Sequence, residues 1–233
     1  MTERRRVEKA DIRNRPAYSL AEAARYLKVA DATLRSWVVG REYPRADGEG
    51  RFHPLIHPPI EKPPTLSFWN LIEAHVLRAL RTEHGVSIKA VRQALSYAER
   101  ELKIQRLLLR KELRTDAGQV FLHRYGQLIN LSASGQIAMR IVLEEHLKRV
   151  DWDEWQFPVR LYPFLSSEIQ PPDRPIAIDP KIAFGRPVVL RAGVSTETIA
   201  GRIDAGETVP EIAKDYGLSE MEVEQAVLYE RAA

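Results

Sequence analysis

The chain has no cysteine in its 233 residues. Disulfides, thiolate metal ligands, cysteine nucleophiles and thiol redox sensing are therefore excluded, and a reducing cytoplasmic setting is expected. No apolar run approaches the roughly 20 residues that span a bilayer. The basic start Met1-Thr2-Glu3-Arg4-Arg5-Arg6 has no apolar segment behind it, so neither membrane insertion nor export is expected. The Walker loop, Gly-x-Ser-x-Gly, Gly-x-Gly-x-x-Gly and His-Glu-x-x-His are also missing, which removes the usual carriers of nucleotide, hydrolase and zincin chemistry. His53 and His57 are four apart, but prolines surround them and no third ligand is near. Asp151, Asp153 and Glu154 alternate with Trp152 and Trp155 and read as the start of a helix. No catalysis, metal or cofactor is expected.

What is present is an ordinary globular mixture, 44% apolar and 29% charged, long enough for two domains or three small ones. The net charge of +3 conceals a split. Up to Val150 there are 27 Lys and Arg against 17 Asp and Glu, while from Asp151 onward the count is 8 against 15. A basic front and an acidic back suit different partners, nucleic acid at one end and something else at the other.

Most of the 15 prolines lie in two stretches, Pro54 to Pro64 and Pro158 to Pro175. Proline halts helices and extends its predecessor. The expected division is 1–62, 63–157, a proline-rich connector at 158–174, and 175–233. The fold class expected is mainly α with small β-hairpins: a winged helix-turn-helix, a helical middle module and a small helical C-terminal module.

In the first module, Ser19 and Glu22 have capping-box spacing before Leu20, Ala23, Ala24 and Leu27, so a helix starts at Leu20. Asp31 then reads as the cap of a second helix, with Leu34, Trp37 and Val38 packing back on the first. Two short helices joined by a tight turn predict a helix-turn-helix. The run from Tyr18 to Ala24 and on to Thr33-Leu34-Arg35-Ser36-Trp37 resembles the winged helix-turn-helix of the MerR and excisionase families, whose second helix enters the major groove. Gly40 to Phe52, with Asp47-Gly48 as a turn signal, resembles the two-stranded wing. The resemblance implies DNA contacts at Ser19, Thr33, Arg35 and Ser36, with Arg41, Arg45 and Arg51 along the phosphates. Arg35 is expected on a phosphate rather than a base.

In the middle module, apolar residues at helical spacing run from Phe68 to Leu80, and Ser87 caps a further helix with Ile88, Val91, Leu95, Ala98 and Leu102 on one stripe. That stripe serves either as the module's own core or as the seam of a homodimer reading two half-sites. Gly118 to Leu131 reads as a hairpin, and a helix is expected from about Gly135 to Lys148. Trp152, Trp155 and Phe157 are expected to pack against that helix's end rather than stack on bases.

The third module runs from Ile178 through Phe184-Gly185-Arg186-Pro187 and Val194-Ser195-Thr196 to Gly217-Leu218. Over about 50 residues it resembles the family known as domain of unknown function 433. It departs from that pattern where Leu190-Arg191-Ala192-Gly193 replaces a Gly-Thr-Arg-like turn. The family is similar to antitoxins whose toxins are PIN-like ribonucleases, and its union with a MerR-like domain resembles one branch of the VapB-type antitoxins. Thr208 with Glu211 and Ser219 with Glu222 are two more capping boxes, giving a second helix-turn-helix shape. From Thr208 to Glu230 six acidic residues face one basic, which opposes contact with a polyanion and favours a protein partner.

The function implied is that of an antitoxin of a type II toxin-antitoxin pair. It would repress its own operon by binding double-stranded operator DNA as a homodimer and block a PIN-like ribonuclease toxin, with Arg174, Arg186 or Arg191 as candidates to pair with the toxin's carboxylates. Two other readings stay open: a stand-alone MerR-like regulator with a C-terminal ligand-sensing or dimerisation domain, and an excisionase-type architectural DNA binder.

Overall fold

The computed structural model describes residues 11–45, 48–82, 88–100, 103, 106–109, 144, 146–163 and 174–232. The hairpin expected at 118–131, most of the helix at 135–148, and Ser87 lie outside them.

The first described half is built around α1 (Leu20–Leu27) and α2 (Asp31–Val38). Ser19 caps α1 with the full reciprocal box to Glu22, and Lys28, at φ 52, ends it in the left-handed region. For α2 the cap differs from expectation: Ala30 holds that position without a side-chain bond, and Asp31 sits inside the first turn. There its charge faces the positive end of the helix dipole. A ribbon of β2 (Arg41–Arg45) and β3 (Gly48–Phe52) follows, with Arg41 opposite Phe52 and Arg45 opposite Gly48. Gly40 starts it at φ +88, where an added Cβ would lie 2.3 Å from the Phe52 carbonyl oxygen.

The first proline stretch is extended and partly paired. It contains β4 (Ile60–Glu61) and leads into β5 (Pro64–Leu66), which pairs with β1 (Tyr18–Ser19) in a three-stranded sheet. α3 (Phe68–Thr82) is buried on nearly all sides over its first ten residues. Ser67 and Asn70 bond each other, Asn70 Nδ2 donates to Glu73 at 2.9 Å, and Arg106 Nε donates to Glu73 at 3.0 Å, while the buried Trp69 Nε1 has no hydrogen-bond partner among the described residues. α4 (Ile88–Arg100) buries Val91, with Leu95 packed half-exposed against the same core. Leu107–Leu109 form a buried 3-10 turn.

The fold class requires one correction. The expectation of a helical middle and a small helical end misses a five-stranded antiparallel sheet of order β10-β9-β8-β7-β6. Its strands are β6 (Val150–Trp152), β7 (Pro158–Leu161), β8 (Ile176–Ile178), β9 (Pro187–Val189) and β10 (Val194–Ser195). Asp151 to Glu154 is thus a strand end and turn, not a helix start. The start of the proline-rich 158–174 stretch is itself strand β7, an interior strand paired on both sides. Proline is compatible with the first position of a strand, where its missing donor does least harm. Each strand is too short to show a period, and its partner is distant in sequence, so the sheet has no local signature.

Beyond the sheet come α5 (Thr196–Asp204), α6 (Val209–Tyr216) and α7 (Glu220–Arg231), the last two capped by the boxes read from Thr208 and Ser219. One core runs from Tyr18 through α1, α2 and α3 to Ile178, and a second unites Val189, Ile199, Ile212 and Val223. The C-terminal helices also dock on α1. Tyr229 Oη donates to the Tyr26 carbonyl at 2.8 Å, Lys28 Nζ lies 4.4 Å from the Tyr229 ring centre, and Arg25 reaches Glu197 at 3.3 Å and Glu230 at 3.9 Å.

Candidate nucleic-acid interface and the arginines of the acidic half

Burial of Leu34, Trp37 and Val38 against α1 turns the opposite face of α2 outward. Asp31, Ala32 and Arg35 are exposed there, and Thr33 and Ser36 are half-buried. Arg35 is 59% exposed and only 3.8 Å from Asp31, a loose i,i+4 pair. Such pairs contribute little and break readily when a stronger anion arrives. Ser36 Oγ donates to the Thr33 carbonyl at 2.7 Å, so its hydroxyl is turned back on the helix. Ser19 is exposed, but its hydroxyl accepts from Glu22 N and donates to the Glu22 carboxylate at 2.7 Å. The Ser19 amide bond holds that carboxyl below the ordinary range, against the opposing effect of burial.

On the ribbon, Arg41 and Arg51 are both exposed. They occupy opposite faces, since Arg41 is paired with Phe52 and Arg51 with Glu42. Tyr43 stacks on Phe52 with ring centres 4.2 Å apart, and Arg92 of α4 lies over the same Phe52 ring at 5.7 Å. Arg92 also donates to the His53 carbonyl. Arg25, Lys28 and Arg92 thus organise the surroundings of the helix-turn-helix, and none was singled out from sequence. The capping periodicity places Arg25 on the outer face of α1, but only the docked C-terminal helices reveal its partners.

The three candidate arginines of the acidic half, Arg174, Arg186 and Arg191, are in different states. Arg191 makes a bidentate pair with Glu222 at 2.8 and 3.1 Å. The unusual Leu190–Gly193 turn therefore ties the end of β9 to the cap of α7. Arg174 Nη1 donates to the Lys148 carbonyl at 2.7 Å and its guanidinium covers the Tyr162 ring at 5.0 Å. Arg186 is exposed and makes no hydrogen bond or ion pair among the described residues. The pair Trp69 and Phe157 stacks at 5.3 Å beneath Arg13, whose guanidinium bridges Asp11 and Asp153. Trp155 remains 72% exposed. Among the described residues no group of three His, Asp or Glu is placed to hold a metal, and no helix is long and apolar enough to cross a membrane.

Residues 16–95 match the family described as "Putative DNA-binding HTH domain", and residues 176–229 match the "Protein of unknown function (DUF433)" family. The crystal structure of Rv2018 from Mycobacterium tuberculosis superposes with a TM-score of 0.65 over 91% of this chain and 98% of that one, at 24% identity, a likeness of fold. A Mycobacterium tuberculosis (strain ATCC 25618 / H37Rv) protein bearing the name "Putative antitoxin VapB45" is 30% identical over 91% of this chain and 92% of its own length. Similarity of that degree along almost the whole of both proteins makes this chain a member of the family of that antitoxin.

Proposed function

We propose that the chain is a non-catalytic DNA-binding antitoxin of a type II toxin-antitoxin pair, working in the cytoplasm as a homodimer on its own operator. The basic half serves the DNA. α2 enters the major groove, Thr33 and Arg35 face the duplex, and the β2–β3 ribbon acts as a MerR-like wing with Arg41, Arg45 and Arg51 along phosphates. The acidic half from 175 onward takes the toxin, a PIN-like ribonuclease whose metal-binding carboxylates suit an arginine fork. The observation that carries this reading is the union, in one member of this antitoxin family, of a helix-turn-helix with an exposed Arg35 and a docked acidic module.

The test is co-expression with the product of the adjacent gene, followed by size-exclusion and an operator gel shift. Co-elution with tightened operator binding is expected. If nothing co-purifies while the chain alone still shifts DNA, the stand-alone regulator takes its place. That second reading is favoured by one feature, a cavity of about 340 Å³ lined by Leu55, His57, Glu73, Leu95, Arg106 and Leu108 among others. Its size is within the range that admits a small effector.

A further inference from the structure

The turn from Lys181 to Arg186 has an unusual backbone. Ala183, Phe184 and Gly185 lie in succession at φ 45, 57 and 78. Left-handed conformation is ordinary for glycine, but it is an outlier for a bulky residue such as phenylalanine and persists only where the surroundings impose it. Here they do. Ile182 N donates to the Asp179 carbonyl at 2.9 Å, Gly185 N to Ile182 at 2.8 Å and Arg186 N to Ala183 at 3.1 Å. Asp179, only 6% exposed, accepts from Lys181 N at 2.9 Å and is itself held by Arg160 at 3.0 Å. Gly185 is pressed on the buried Tyr18, whose hydroxyl would sit 2.1 Å from an added Cβ.

All this constraint displays one side chain. Phe184 is 93% exposed, the most exposed large apolar residue among those described. Lys181 and Arg186 beside it are also exposed. An aromatic ring and an unpaired arginine on a rigid, strained turn are what an interface anchor requires, because little ordering entropy remains to be lost on binding.

We propose that this turn is a docking knob for a protein partner. Phe184 enters an apolar pocket on that partner, and Arg186, with Lys181, meets carboxylates at the pocket's edge. The charge distribution favours protein over DNA: the module to which the turn belongs carries ten acidic residues against six basic ones from Pro175 onward, so as a whole it repels a duplex. The partner's identity as the toxin rests on the function proposed above, and the inference adds the surface that receives it.

The experiment uses the full chain co-expressed with the product of the adjacent gene, then titration of the purified pair for Phe184→Ala, Arg186→Ala, Arg186→Lys and, as a control on another exposed apolar residue, Leu228→Ala. Phe184→Ala and Arg186→Ala are each expected to weaken the complex by about tenfold or more. Arg186→Lys should recover part of the loss, Leu228→Ala should stay within about twofold of wild type, and the melting temperature and operator binding should not change. Phe184→Ala binding as tightly as wild type overturns the inference while the antitoxin reading stands. So does loss of duplex binding in place of partner binding, which would make the turn a DNA contact. A wild-type chain that fails to bind the neighbouring product removes both.

Discussion

At the scale of single residues, three positions make separable predictions. Arg35 is exposed and loosely paired, so Arg35→Ala should leave stability intact, weaken operator binding, and lower the salt slope of log K by about 0.9, the value for one phosphate contact. Anisotropy titrations at several salt concentrations read that slope. Gly40 is in the left-handed region against the Phe52 carbonyl, and Gly40→Ala should lower stability by about 1–3 kcal/mol, seen as a reduced melting temperature. His75 is fully buried, with its Nε2 3.1 Å from the His146 carbonyl oxygen. Burial, then the nearby charges of His146, Arg149 and Arg78, push its pKa down to about 3 from 6.5. Between those values the unfolded chain binds a proton that the folded one refuses. Stability should thus be complete above pH 6.5 and decline as pH falls toward 3, by up to about 1.4 kcal/mol per unit. Chemical denaturation across that range should show the slope in wild type and a smaller one in His75→Gln, which keeps a donor for the carbonyl.

At the scale of elements, α1 is used twice. Its inner face, Leu20, Ala23, Ala24 and Leu27, is the apolar stripe that the sequence declares. Its outer side, through Arg25, Tyr26 and Lys28, receives α5 and α7. Tyr229→Phe deletes the bond to the Tyr26 carbonyl and should cost about 1 kcal/mol, measurable by urea denaturation; an unchanged midpoint would mean the dock contributes nothing to stability. The three capping boxes are visible in sequence because a cap is local, a hydroxyl and a carboxylate three residues apart closing on their own backbone. Asp31 shows where that locality ends. It has the composition of a cap, yet the chain leaving the left-handed Lys28 brings Ala30 to that position instead.

At the scale of the whole molecule, the second proline stretch is a place where local reading failed. Pro158 announces a connector, but β7 pairs β6 on one side and β8 on the other, and Ile178 joins the core of the N-terminal half. A chain ending at residue 174 should therefore lose more than a binding module. It would uncover Tyr26, Tyr18 and the edge of β7, and is expected to melt at a lower temperature or aggregate. An intact melting transition would show that the halves are independent.

The helix-turn-helix and the capped helices of the acidic end are legible in the amino-acid order, since each depends on neighbours within a turn or two of the chain, and the charge asymmetry between the halves is a matter of composition. The candidate DNA residues were legible in the same way, as positions on a short amphipathic helix and a turn-marked ribbon. Which of the candidate arginines Arg174, Arg186 and Arg191 is left without a hydrogen bond or ion pair among the described residues follows from packing alone, because Glu222 and the Lys148 carbonyl, which engage Arg191 and Arg174, are 31 and 26 residues away. Packing also decided that Phe184 faces outward from a turn braced by Asp179 and Tyr18, and that the sheet crosses the presumed connector. Contacts between distant segments depend on the packing of the complete chain, and no window of sequence contains both sides of them.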